Sequence, residues 1–164
     1  VLGEPWAVGA GLWSPTSDKK RREPALADER WNRLRPGDDA KVPFVTSTLA
    51  DSSGPIVAVT DFMKAVPDQI ARWVPDGRGF LPLGTDGFGR SDSRPYLRRF
   101  FEVDAESIAS AALSQLARWG QFDAQKARKA LTDPGIDPDK KEASKNERQM
   151  GGERPRMRAT RTGG

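Results

Sequence analysis

An α/β sandwich with a mostly parallel sheet is the fold class this sequence predicts, and three observations predict it. The run Ile56-Val57-Ala58-Val59-Thr60 is apolar up to its last residue, as a strand covered by helices on both faces reads. A second short apolar stretch, Phe80-Leu81-Pro82-Leu83, follows a segment with helical spacing. A longer segment from 105 to 119 then places Ile108, Ala111, Ala112, Leu116 and Trp119 on one helical stripe. Strands that alternate with helices pair in parallel through crossovers.

In chain order, Trp6 to Trp13 alternates short apolar stretches with Gly, which predicts a turn into a short strand ending near Ser14-Pro15-Thr16. Lys19 to Arg22 is a basic run that reads as a solvated helix face or a loop. A helix is expected over 24–34: Pro24 suits a first helical position, Ala27, Trp31 and Leu34 share a face, and Arg35-Pro36-Gly37 stops it. Residues 37–55 are loop-rich, with 42–49 open between strand and short helix. After the 56–60 strand, Asp61 stands at a natural helix N-cap, and Val66, Ile70 and Trp73 give a helical face. Pro67 disfavours a helical Val66, so regular helix is expected from Pro67. The 80–83 strand leads into a Gly-rich loop over 84–93. A short helix starts near Arg94-Pro95 and ends around Phe100-Phe101. Val103 is a candidate extended segment, Asp104 caps the 105–119 helix, and Gly120 stops it. Asp123 caps a last helix to about Leu131, ended by Thr132-Asp133-Pro134-Gly135.

The chain has 164 residues, enough for one domain or one domain with a tail. It contains neither His nor Cys. That excludes a Ser-His-Asp triad, a thiol nucleophile, disulfides, and zinc held by Cys or His. The net charge of +4 is matched by 148–164 alone, where Arg148, Arg154, Arg156, Arg158 and Arg161 face one acid, Glu153. Apolar residues nearly vanish beyond Asp139. We therefore expect a folded domain over 1–140 and a basic, disordered tail over 141–164. With no long apolar run and no basic-then-apolar leader, the sequence reads as cytoplasmic with no membrane contact.

The loop Gly84-Thr85-Asp86-Gly87-Phe88-Gly89-Arg90-Ser91-Asp92-Ser93 is the segment most suggestive of function. Its glycines permit close backbone approach, and a strand–loop–helix turn can present N–H groups to an anion. The glycine spacing is not a dinucleotide fingerprint, and Asp86 stands where a phosphate would be repelled. Arg90, Asp92 and Arg94 instead suit a charge lattice at an interface, or a tight connection with internal ion pairs. Asp61, Asp86 and Asp92 are the carboxylates available for acid–base work, but nothing in their spacing fixes a shared cavity, and caps and loop salt bridges are the favoured account of them. Trp31, Trp73 and Trp119 sit on apolar stripes as core or interface anchors. The arginine tail could bind a polyanion, but it has no aromatic residue to stack on bases, so nucleic acid is not expected as the partner.

Residues 55–119, from Pro55-Ile56-Val57 to Ala117-Arg118-Trp119, closely resemble the C-terminal domain of the homodimeric bacterial pyruvate dehydrogenase decarboxylating component, in the transketolase superfamily. GTDGFGRSDSR at 84–94 is the most specific part. LWSPTS at 12–17, ERWNRLRPG at 29–37 and the stretch from Gly120 to about Lys140 are similar to further family segments. Departures are Pro15 in place of Val, Lys20 to Pro24 where an Arg-Asp-Gly turn stands, and Arg35 in place of His.

The resemblance implies a three-layer α/β sandwich lacking the family's first strand and helix, with an upstream portion expected before Val1. It implies an enzyme that decarboxylates pyruvate on thiamine diphosphate and Mg2+, then passes the acetyl group to a lipoyl acyltransferase partner. The cofactor lies between two upstream domains of that enzyme. No catalytic, cofactor-binding or metal residue therefore carries over to this chain, and the chain alone is expected to be inactive. Its implied role is dimer packing and support of the active-site channel, with Asp86, Phe88, Arg90, Asp92 and Arg94 as the candidate interface or channel-mouth residues. A stand-alone module that binds polyanions through its tail is the alternative from a different class. A relative acting on another 2-oxo acid or a ketose is a third reading.

Overall fold

The computed structural model describes residues 6–75, 78–87 and 89–145. Helix α1, Asp18–Leu34, begins earlier than Pro24, because Ser17 is extended and its side chain accepts the Lys20 N–H at 3.3 Å. A side-chain cap of this kind satisfies a donor that the first turn leaves orphaned. Pro24 therefore lies inside the helix, where it leaves one carbonyl a turn earlier without its N–H partner. The basic run from Lys19 becomes helix surface, with Lys19 paired to Glu23 across one turn at 3.5 Å. Helix α2, Phe44–Ala50, settles the open 42–49 segment as helix and buries Val45.

The strand expected before Ser14 is not formed. Residues 7–15 have no regular structure, and Leu12 is 98% exposed; no other described strand lies alongside to satisfy its backbone.

Strands β1, Ile56–Val59, and β2, Phe80–Leu83, pair in parallel from Ile56 opposite Phe80 to Val59 opposite Leu83. The α/β class and the parallel pairing are thus as the sequence predicts. Coverage of β1 is less complete than its composition suggests, since Val59 is 42% exposed. Pro82 lies within β2 opposite Ala58. It has no N–H to donate, which suits a strand with one unpaired side.

Between the strands, Asp61 does not cap a helix. Lys64 is the N-cap of α3, Ala65–Asp68, and the chain then tightens into a 3-10 turn over Ala71–Trp73. The hydrogen bonds there run three residues back, from the N–H groups of Ile70, Trp73 and Val74 to the carbonyls of Pro67, Ile70 and Ala71. Residues three apart eclipse in this geometry, so Pro67, Ile70 and Trp73 all turn inward and all are buried. A regular α-helix would have fanned them apart.

Helices α4, Arg94–Phe100, α5, Ala105–Arg118, and α6, Ala124–Thr132, lie where the sequence places them. Asp104 accepts the Ser107 N–H at 2.9 Å and Asp123 the Lys126 N–H at 2.8 Å. Gly120 and Gly135 end α5 and α6 at positive φ, with Gln121 and Ile136 donating back to Leu116 and Leu131, the six-to-one closure of a left-handed helix stop. The same closure ends α4 without glycine. Glu102 takes φ 59°, and Val103 donates to the Arg98 carbonyl, so Val103 closes a helix instead of forming an extended segment.

The expected stripe on α5 is displaced. Ser107, Ala109, Ser110 and Leu113 are the buried set, and Ile108, Leu116 and Trp119 are half-buried. Small side chains there let α6 approach closely, and the Ser110 hydroxyl donates to the Ala130 carbonyl at 3.1 Å. Two apolar clusters result. One joins Ala25, Val45, Ile70 and Trp73 with Leu26, Leu49 and Phe80. The other joins Leu113, Ala127 and Ala130 with Trp6, Val8, Ala117 and Phe122. Residues 141–145 of the expected tail are described, with a helical turn at 143–145; the tail arginines lie outside the described residues.

Candidate functional site

Parallel strands deliver their following loops to one end of a sheet, and ligands in α/β folds collect there. In this chain Asp61 follows β1, and the 84–93 loop follows β2. Gly84 makes the junction possible: a Cβ on it would lie 2.6 Å from the Phe62 carbonyl oxygen and 2.9 Å from the Lys64 nitrogen. The two loops are stitched by Thr85, whose N–H donates to the Phe62 carbonyl at 2.9 Å and whose hydroxyl donates to the Asp61 carbonyl at 2.8 Å.

A groove of about 360 Å³ opens at this end. The loops supply Asp61, Thr85, Arg90 and Asp92, helix α4 supplies Arg94 and Arg98, and the apolar side chains are Leu97, Phe101 and Val103. Arg90 lies over the Phe100 ring, 4.2 Å from its centroid. Asp92 accepts the Ser93 N–H at 2.7 Å. The groove sets the guanidinium groups of Arg90, Arg94 and Arg98 beside the carboxylates of Asp61 and Asp92, an arrangement suited to binding a charged group.

Of the residues singled out from sequence, Arg90, Asp92 and Arg94 converge on the groove. Asp86 does not. Its carboxylate accepts the Lys64 backbone N–H at 2.8 Å and lies 3.7 Å from the Lys64 ammonium, so it steadies the start of α3 from across the loop. Phe88 lies outside the described residues. Asp61 joins Asp92 at the groove, which places two of the three suggested carboxylates in one space. Arg98 was missed, although its position one turn beyond Arg94 on a helix was a usable signal. The contribution of Leu97, Phe101 and Val103 depends on how α4 docks and had no sequence signal.

The far end of the domain returns to this site. Lys140 donates to the carbonyls of Phe100 at 2.8 Å and Arg99 at 3.3 Å, and pairs with Glu102 at 3.2 Å. Its ammonium is 5.5 Å from the Phe100 ring centroid. A cation at the carbonyl end of a helix is favourable, and here it ties the segment after α6 to α4. Arg99 donates in turn to the Pro134 carbonyl at 2.7 Å and pairs with Asp104 at 3.0 Å.

The residues present do not fit a metal-bound diphosphate. Among the described residues no three acidic side chains converge to hold an ion, and the two acids of the groove stand beside three guanidinium groups that would repel a divalent cation. No helix among the described residues is long and apolar enough to cross a membrane.

The family described as the transketolase-like TK C-terminal domain matches residues 6–104. Among similar curated proteins is the "Pyruvate dehydrogenase E1 component" of Pseudomonas aeruginosa, 45% identical over 141 residues, which are 86% of this chain and 16% of that protein. The protein of the same name from Mycolicibacterium smegmatis is 46% identical over 84% of this chain and 14% of its own length. That of Escherichia coli K12 is 40% identical over 85% and 15%. The chain thus spans about one-sixth or less of the length of these relatives. None of them carries a name that supports a polyanion-binding module.

Proposed function

Because the chain belongs to the transketolase-like TK C-terminal domain family, we propose that it forms the C-terminal part of a thiamine-diphosphate-dependent pyruvate dehydrogenase decarboxylating subunit. In this reading it packs the homodimer and supports the mouth of the active-site channel, while upstream domains hold the cofactor and perform the chemistry. The acetyl group passes to the lipoyl acyltransferase component of the complex, in the cytoplasm. The observation that carries the reading is identity of 40–46% to proteins named pyruvate dehydrogenase E1 component over 84–86% of the chain.

Two features of the structure support the packing role. The candidate loop is braced from three directions, by Gly84 against 62–64, by Asp86 on Lys64, and by Arg90 over Phe100, as a surface that must keep its shape should be. Beside it, Phe62 and Met63 are 68% and 58% exposed, and large adjacent apolar side chains in water suit a contact surface. Calorimetry of the isolated chain with thiamine diphosphate and Mg2+ tests the reading. No Mg2+-dependent uptake of the cofactor and no pyruvate turnover are expected, and stoichiometric uptake that requires Mg2+ would refute the assignment of the chemistry to upstream domains.

A further inference from the structure

We propose that the groove lined by Asp61, Thr85, Arg90, Asp92 and α4 is a binding site for a small anion, a carboxylate or phosphate carried on a metabolite-sized molecule. The inference goes beyond the supporting role and does not rest on it, since this chain alone carries the groove.

Four observations converge. The groove lies past the carboxyl ends of both parallel strands, two residues beyond Val59 and two beyond Leu83, where open α/β sheets take their ligands. Its volume of about 360 Å³ falls within the range of small-molecule sites.

The charges around α4 divide into those paired within the protein and those that face solvent. Arg99 has Asp104, Lys64 has Asp86 and Lys140 has Glu102. Arg94 and Arg98, one helical turn apart and both lining the groove, have no side-chain hydrogen bond or ion pair among the described residues. Two neighbouring guanidinium groups offer paired donors that match the oxygens of a carboxylate or phosphate.

The acid that the sequence sets against an anion, Asp86, is directed to Lys64 and is absent from the groove lining. Of the acids that remain, Asp92 accepts the Ser93 N–H. Asp61 stands as an acceptor for a donor elsewhere on the ligand. With Arg90, Arg94 and Arg98 against Asp61 and Asp92, the lining carries one net positive charge, and Leu97, Phe101 and Val103 give an apolar surface for a short carbon skeleton.

Titration of the full 164-residue chain with inorganic phosphate, and separately with acetate, followed by amide and arginine side-chain resonances, tests the site and separates the two anion types. Saturable shifts over 85–98 with either probe are expected, at millimolar affinity. The double variant Arg94→Gln/Arg98→Gln should weaken binding about tenfold or more, and Arg128→Gln on α6 should leave it unchanged. The variant Arg94→Lys/Arg98→Lys keeps the charge and should retain part of the affinity, which separates loss of the site from loss of the fold. Shifts that never saturate, shifts centred on the tail arginines at 148–161, or equal affinity of the Gln variant and the parent would overturn the proposal.

Discussion

Gly84 is where one methyl group has the largest foreseeable effect. Its Cβ would meet backbone on the facing segment, the Phe62 oxygen at 2.6 Å and the Lys64 nitrogen at 2.9 Å, and backbone cannot rotate away as a side chain can. Gly84→Ala should cost about 1–3 kcal/mol and loosen the Thr85 hydrogen bonds. Gly54→Ala, with open space around it, should be close to neutral in the same thermal melts. Asp18 gives a second test at this scale. Burial pushes its carboxyl above the ordinary aspartate range, against a smaller opposing pull from Arg21. The folded protein then holds that proton more tightly than the unfolded chain. The stabilising contribution is complete at low pH and is lost as pH rises through the raised value. Measured by urea unfolding, the parent should lose stability relative to Asp18→Asn as pH rises from about 3 to about 7; a relative gain would contradict the burial argument.

Elements show which parts of the fold were legible and why. The strands and the last three helices could be read because local signals agree with packing: an apolar run for β1, Asp caps for α5 and α6, and Gly stops after them. Helix α1 starts earlier than Pro24 suggests because the Ser17 side chain caps its first turn, and the helix carries the proline in its interior despite the lost bond and the crowding of its ring. Ser17→Ala should therefore cost about 1 kcal/mol and fray 18–23, visible as faster amide exchange there than in 25–34. The 3-10 turn at 71–73 and the displaced face of α5 could not be read from spacing. Both are set by what packs against them, Trp73 with Val45 in one case and Ala130 with Ser110 in the other. The same holds at the site. Arg90, Asp92 and Arg94 were visible in the loop sequence, whereas the departure of Asp86 to Lys64 and the arrival of Asp61 depend on how two distant turns meet.

At the scale of the molecule, the two apolar clusters among the described residues are small, and Leu113 is the largest fully buried side chain there. The Trp73 indole bridges α1 to the 3-10 turn, donating to Glu29 at 2.7 Å, while Thr46 donates to the Trp73 carbonyl at 2.6 Å. The exposed apolar side chains near the sheet end, Val59, Phe62 and Met63, fit a domain that meets others in a larger protein. A graft tests most directly whether the chain completes such an enzyme without carrying its chemistry. Residues 6–140 replace the matching end of the Pseudomonas aeruginosa relative, and pyruvate-dependent acetyl transfer is measured beside that relative truncated at the same point. The truncated protein should be inactive, the graft should recover about a tenth or more of the parental rate, and this chain alone should turn over no pyruvate. A graft that stays at the truncated baseline, or turnover by the isolated chain, would contradict the supporting role.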